Sequence, residues 1–143
     1  CVDGRGVTVA VIDTGLQVGH PFIENRKKRR NRVVQPWNAF NGKTTRQAVA
    51  DVGDGEDNDR LADLLPGNGP GEGTASPLLI DEAVGHGTHV AGIVLQAAPR
   101  ASILPIKALD SDGAGQAFYL ARAIAHATDA GVDVINLSLG APS

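Results

Sequence analysis

The sequence predicts an open α/β fold built around a mainly parallel sheet, and three observations carry that prediction. The runs "VTVAVID" (7–13), "SILPIKAL" (102–109) and "VDVINLSL" (132–139) are apolar without polar alternation, the pattern of strands covered on both faces. Two stretches of helical spacing, 87–98 and 115–131, lie between strands. The resulting order of strand, helix, strand, helix, strand places helices against a shared sheet.

Taken in chain order, the first strand runs up to Asp13, and "RVVQPW" (32–37) is a weaker strand candidate. Residues 38–83 then break the pattern. They carry "DVGDGEDNDR" and "LLPGNGPGEGTASP", rich in Gly, Pro and acids and without an apolar period, and read as a long loop insertion. "GTHVAGIVLQAA" (87–98) is a helix that stops at Pro99. "GQAFYLARAIAHATDAG" (115–131) is a second, with Phe118, Ala121, Ile124 and Ala125 along one face and Gly131 as a left-handed cap. There is no internal repeat.

Composition bounds the function. A chain of 143 residues, 42% hydrophobic and 20% charged, suits one domain with its own core. Its 18 Gly against 3 Phe, 1 Trp and 1 Tyr predict closely packed backbones rather than an aromatic core. A net charge of -3 argues against a general nucleic-acid binder, and no apolar run approaches membrane-spanning length. With Cys1 as the single cysteine, no internal disulfide forms and folding needs no oxidising compartment. The absence of methionine and a strand beginning at residue 7 read as a portion of a longer protein, with no targeting segment before it.

The chemistry centres on "VGHGTHVAGI" (84–93), where His86 and His89 stand three apart among very small residues. Sites in open parallel sheets form outside the carboxyl ends of strands; Asp13 lies at such an end and His86 opens a helix. A carboxylate on one imidazole nitrogen fixes the tautomer and frees the other nitrogen to take a proton from a nucleophile. Gly85, Gly87 and Gly92 would let the two backbones approach. Three other readings stay open at this level. One is a helix start with a solvent-facing His near a capping Asp. The second is a metal held by His86, His89 and Asp13, although the usual helical pair spans i to i+4 around a glutamate, and Gly87 and Thr88 intervene here. The third takes "DTG" (13–15) as half of an aspartic-protease dyad, which expects an all-β chain and leaves the histidines unexplained.

Together, "VAVIDTGLQVGHP" (9–21), "GHGTHVAGI" (85–93) and "DGAGQAFYLARAIAHATDAGVDVINLSLGAPS" (112–143) closely resemble the subtilisin-like serine peptidases, the subtilases. The resemblance implies a three-layer α/β/α sandwich, incomplete here, with residues 1–143 as the N-terminal portion of the peptidase domain. It implies a serine endopeptidase with an Asp-His-Ser triad, in which Asp13 is the aspartate, His86 the histidine, and His89 a neighbour outside the proton path. By the same resemblance Ser138, Leu139 and Gly140 form a substrate strand that pairs with an extended peptide, Leu139 lining a side-chain pocket. Gly113, Ala114 and Gly115 form the opposite wall. The partners implied are polypeptide substrates, with room for a propeptide, and neither nucleic acid nor membrane. An extracellular or cell-surface location follows from the resemblance alone.

The departures are specific. The family's nucleophile sits in a Gly-Thr-Ser segment after the substrate strand and its oxyanion Asn lies between the two. None of Ser76, Ser102, Ser111, Ser138 and Ser143 has that context, so this chain alone is expected not to hydrolyse peptides. The calcium loop that follows the HGTHVAG helix in subtilisins is missing from "GIVLQAAPRASI", and no cofactor is expected, with calcium as the alternative. Asp51, Asp54, Asp57 and Asp59 offer oxygen ligands to a hard cation but not in EF-hand order, and read as a solvated acidic loop. "RKKRRNR" (26–32) reads as an exposed basic loop offset by those acids, with a dibasic processing site and a nucleic-acid contact as alternatives. His20 forms a common family pair with Pro21, His126 falls on a helix surface, and Trp37 packs. A non-catalytic relative that keeps the cleft as a peptide-binding or scaffold surface is the rival from another class.

Overall fold

The structure, a computed structural model, describes residues 3–24, 32–53 and 83–140. The basic run up to residue 31, Asp54, Asp57, Asp59, Ser76 and Ser143 lie outside the described residues.

Among the described residues four parallel strands form one sheet: β1 (Thr8–Asp13), β2 (Trp37–Asn38), β3 (Ser102–Lys107) and β4 (Val134–Asn136), in the order β2-β3-β1-β4. β1 pairs with β3 along its whole length, from Thr8 opposite Ser102 to Asp13 opposite Lys107, and with β4 from Val9 to Val11. Its unalternating apolar run reflects burial on both faces. Val9 and Val11 join a core cluster with Ile103, Val90, Ala91 and Leu95, while Ala10 and Ile12 join one on the other face with Leu104, Ile106, Ala123 and Ala127. α1 (His86–Ala97) covers the first face and α2 (Ala117–Asp129) the second, which makes the three layers. Each fully buried Ile or Leu in these layers contributes roughly 1.5–3 kcal/mol of transfer free energy.

Four expectations change in detail. The inward face of α2 is Leu120, Ala123, Ile124 and Ala127, spaced i, i+3, i+4, i+7; Phe118 is 66% exposed and Ala121 and Ala125 face solvent. Alanine at the fully buried positions 123 and 127 lets the helix lie close to the sheet. The "RVVQPW" run makes only an isolated bridge at Val33 before β2 begins at Trp37, because Gln35 takes a positive φ of 42° and Pro36 has no N–H to donate. In "VDVINLSL" only Val134–Asn136 is laddered, and its edge position leaves Val134 48% exposed. The described part of the expected insertion is ordered. Asn38 Oδ1 accepts from the N–H groups of Phe40 and Asn41, and a 3-10 turn at Gln47–Val49 puts the fully buried Val49 in the core, where its C=O accepts from Leu16 N–H at 2.7 Å.

His126 is not an idle surface residue. Its ring stacks on the buried Trp37 at 4.2 Å with planes 10° apart, and burial lowers its pKa from 6.5 while Asp129 pulls the other way. The Arg122 guanidinium lies over the same indole at 5.4 Å and donates to Ala39 O. α2 ends as expected, with Gly131 at φ 68° just beyond it.

Candidate active site

The parallel sheet brings the end of β1 and the start of α1 together. Asp13 is fully buried at the last position of β1, and His86 opens α1 with its side chain 45% exposed. His86 Nδ1 lies 2.8 Å from Asp13 Oδ1, an oxygen that also accepts from Thr14 N–H at 2.8 Å. With a carboxylate as acceptor the contact places the proton on Nδ1, so the lone pair belongs to Nε2.

The approach depends on a missing side chain. A Cβ at Gly87 would stand 2.3 Å from the Gly15 carbonyl oxygen and 3.1 Å from Asp13 Oδ1. Any larger residue there would push the first turn of α1 away from Asp13. Gly85 serves differently: it is the N-cap of α1 in a left-handed conformation, φ 87°. Gly92, expected to help, meets only the Phe22 ring at 3.8 Å, an ordinary contact.

Asp51 was expected in a solvated loop and is instead 6% exposed. Its Oδ1 accepts from Thr14 Oγ1 at 2.9 Å and Gly85 N–H at 3.1 Å, and its Oδ2 from Thr88 N–H at 2.9 Å and Thr88 Oγ1 at 2.5 Å. The capping carboxylate of α1 is therefore Asp51, since Asp13 bonds to no α1 backbone N–H. No local motif announces this, because the carboxylate and the helix it caps are 34 residues apart.

A cavity of about 500 Å³ opens beside His86, lined by Ala83, Val84, Gly85, His86, His89 and Asp112. His89 is exposed on the same wall. Gly113–Gly115 follow directly from Asp112 in a turn closed by Asp110 Oδ1, which accepts from Asp112 N–H at 3.1 Å and Ala114 N–H at 2.8 Å. That turn is docked on the loop before His86 through Ala83 N–H to Ser111 O, 3.0 Å. Ser138 is exposed with its Oγ on Asn136 Oδ1, Leu139 is half-buried and Gly140 exposed. Neither 113–115 nor 138–140 lines the cavity, and among the described residues no serine does.

The model of the subtilase family matches residues 4–143. The chain belongs to the subtilase family. Thermitase of Thermoactinomyces vulgaris is 33% identical over 138 residues, which cover 96% of this subtilase chain and 39% of thermitase. The major intracellular serine protease of Bacillus subtilis (strain 168) is 31% identical over 152 positions, covering 99% of this chain and 36% of that protein. Among solved structures, a lanthipeptide protease superposes with a TM-score of 0.63 at 26% identity, over 97% of this chain and 30% of that one. The chain thus spans between 30% and 39% of the length of these relatives. Membership settles the "DTG" alternative as well, since Asp13 ends a strand of a parallel α/β sheet rather than of an all-β chain.

Proposed function

We propose that this subtilase chain carries the Asp–His half of a serine endopeptidase site. The observation that supports it is the 2.8 Å contact between His86 Nδ1 and a fully buried Asp13, with the imidazole half-exposed on a cavity. In this reading Nε2 takes the proton of a serine hydroxyl as its oxygen attacks the peptide carbonyl. Asp13 stabilises the imidazolium that forms, and Nε2 then passes the proton to the leaving amine. Water repeats the cycle on the acyl-enzyme and restores the serine.

The nucleophile and the oxyanion donor come from outside these 143 residues, and the chain by itself does not turn over peptides. The substrates are polypeptides, bound in extended form between 113–115 and 138–140, with Leu139 shaping side-chain preference. A propeptide would occupy the same walls. No cofactor is required, because base, orienting carboxylate and nucleophile are all side chains. An extracellular or cell-surface location rests on family membership, and two relatives are named for an intracellular one.

The test is fluorophosphonate labelling of the full-length protein followed by peptide mapping. A labelled serine in a Gly-Thr-Ser segment, with label and peptide hydrolysis both lost in His86→Ala, is the expected result. A full-length protein with no labelled serine is a peptide-binding relative instead.

A further inference from the structure

We propose that Asp51 is a positioning residue: a buried carboxylate that locks the histidine-bearing end of α1 to the chain just after Asp13 and thereby sets the Asp13–His86 pair. The proposal rests on the reading of that pair as part of a peptidase site. It starts from a deficit. The first N–H groups of a helix have no acceptor within the helix, and the N-cap of α1 is Gly85, which has no side chain to supply one. Asp51 supplies acceptors from elsewhere in the fold, to Gly85 N–H and Thr88 N–H. A negative charge at that end of the helix is also favoured by the helix dipole.

The remaining bonds give the cap its direction. Thr14 Oγ1 donates to Asp51 Oδ1 and accepts from Gly87 N–H at 3.1 Å. Thr88 Oγ1 donates to Asp51 Oδ2 and accepts from Gln17 N–H at 2.9 Å. Four donors meet the roughly four lone-pair sites of the carboxylate, and each of them belongs to a residue within two positions of Asp13 or His86. The hydrogen bonds of Asp51 go to Thr14, Gly85 and Thr88 and not to Asp13 or His86, so its action on the pair passes through those three residues. A helix cap needed only for stability would not require the hydroxyl of Thr14, which belongs to the residue next to Asp13 on the other side of the pair. The glycine at 87 removes the steric bar to contact, and Asp51 holds α1 in it.

The experiment compares wild type, Asp51→Asn and Asp51→Ala in the full-length protein, by peptide hydrolysis normalised to titrated active sites and by crystal structure. Displacement of the pair by about 1 Å is enough to lower kcat by roughly 10²-fold in Asp51→Ala. Asp51→Asn keeps one acceptor oxygen and falls between Asp51→Ala and wild type. KM stays within about 2-fold, because no bond of Asp51 reaches the proposed substrate walls. In the Asp51→Ala crystal the His86 Nδ1 to Asp13 Oδ1 contact opens beyond hydrogen-bond range. A contact retained in Asp51→Ala overturns the positioning role, whatever happens to activity. A contact that opens while kcat is unchanged upholds the positioning role and removes the peptidase reading of the pair, as does a wild type without hydrolysis, in which case the distance alone judges Asp51. If Asp51→Ala does not fold, Thr88→Val, which keeps the charge and removes one donor, is read by the same two measurements.

Discussion

Trp37 and His126 stack with ring centroids 4.2 Å apart on the face of the sheet that α2 covers. Burial in that stack lowers the His126 pKa below 6.5, and Asp129 only partly opposes the shift. The folded state therefore binds fewer protons than the unfolded state as pH falls through the region below 6.5, and stability declines with acidification. Replacing His126 with Phe keeps a flat ring on the indole and removes the titration. Melting temperature measured between pH 7.5 and 5 should fall more steeply in wild type than in His126→Phe, and parallel curves would remove His126 as the source.

Gly87→Ala places a methyl group 2.3 Å from a backbone oxygen that cannot yield without moving β1's exit. Overpacking of this kind costs roughly 1–3 kcal/mol, and here it also parts His86 from Asp13. Gly92→Ala meets only a ring at 3.8 Å and gains helix propensity of about 0.5–1 kcal/mol. Urea unfolding of the two variants should move in opposite directions.

Asp13→Asn tests the tautomer. An amide can donate to Nδ1, which places the imidazole proton on Nε2 and disables it as a base. On the proposed mechanism kcat for a peptide substrate falls by about 10⁴-fold, with titration by pH-independent binding of a peptide inhibitor unchanged. A fall of less than tenfold would detach Asp13 from catalysis.

The inward face of α2 is tested by a matched pair. Ala123→Leu puts a branched side chain where the helix lies fully buried against the sheet, at a cost of roughly 1–3 kcal/mol. Ala121→Leu, on the exposed face, stays within about 0.5 kcal/mol of wild type. Equal melting temperatures for the two would contradict the observed face.

Part of this structure is legible in the chain because the signal is local. β1 and β3 are apolar throughout since both faces are covered, and the small residues around His86 reflect the closeness of Gly87 to Gly15 and Asp13. The face of α2 is not legible, because alanines at 121 and 125 lie on one side of the helix and those at 123 and 127 on the opposite side, so small apolar residues mark two faces alike. Asp51 hides for a different reason. Among neighbouring acids and glycines it looks like any solvated carboxylate, and what singles it out is four donors brought from distant parts of the chain. Trp37 and His126 likewise meet only in the finished fold.

The contact between Asp13 and His86 closes a span of 73 residues, and no shorter segment contains it. Closing so large a loop precedes any reward from the contacts it brings, and sheets paired over long separations assemble slowly. On the proposed mechanism the chain therefore cannot present an oriented base while it is still being synthesised or is partly unfolded. Proton-transfer competence, on that mechanism, is a property of the tertiary fold and of no local segment.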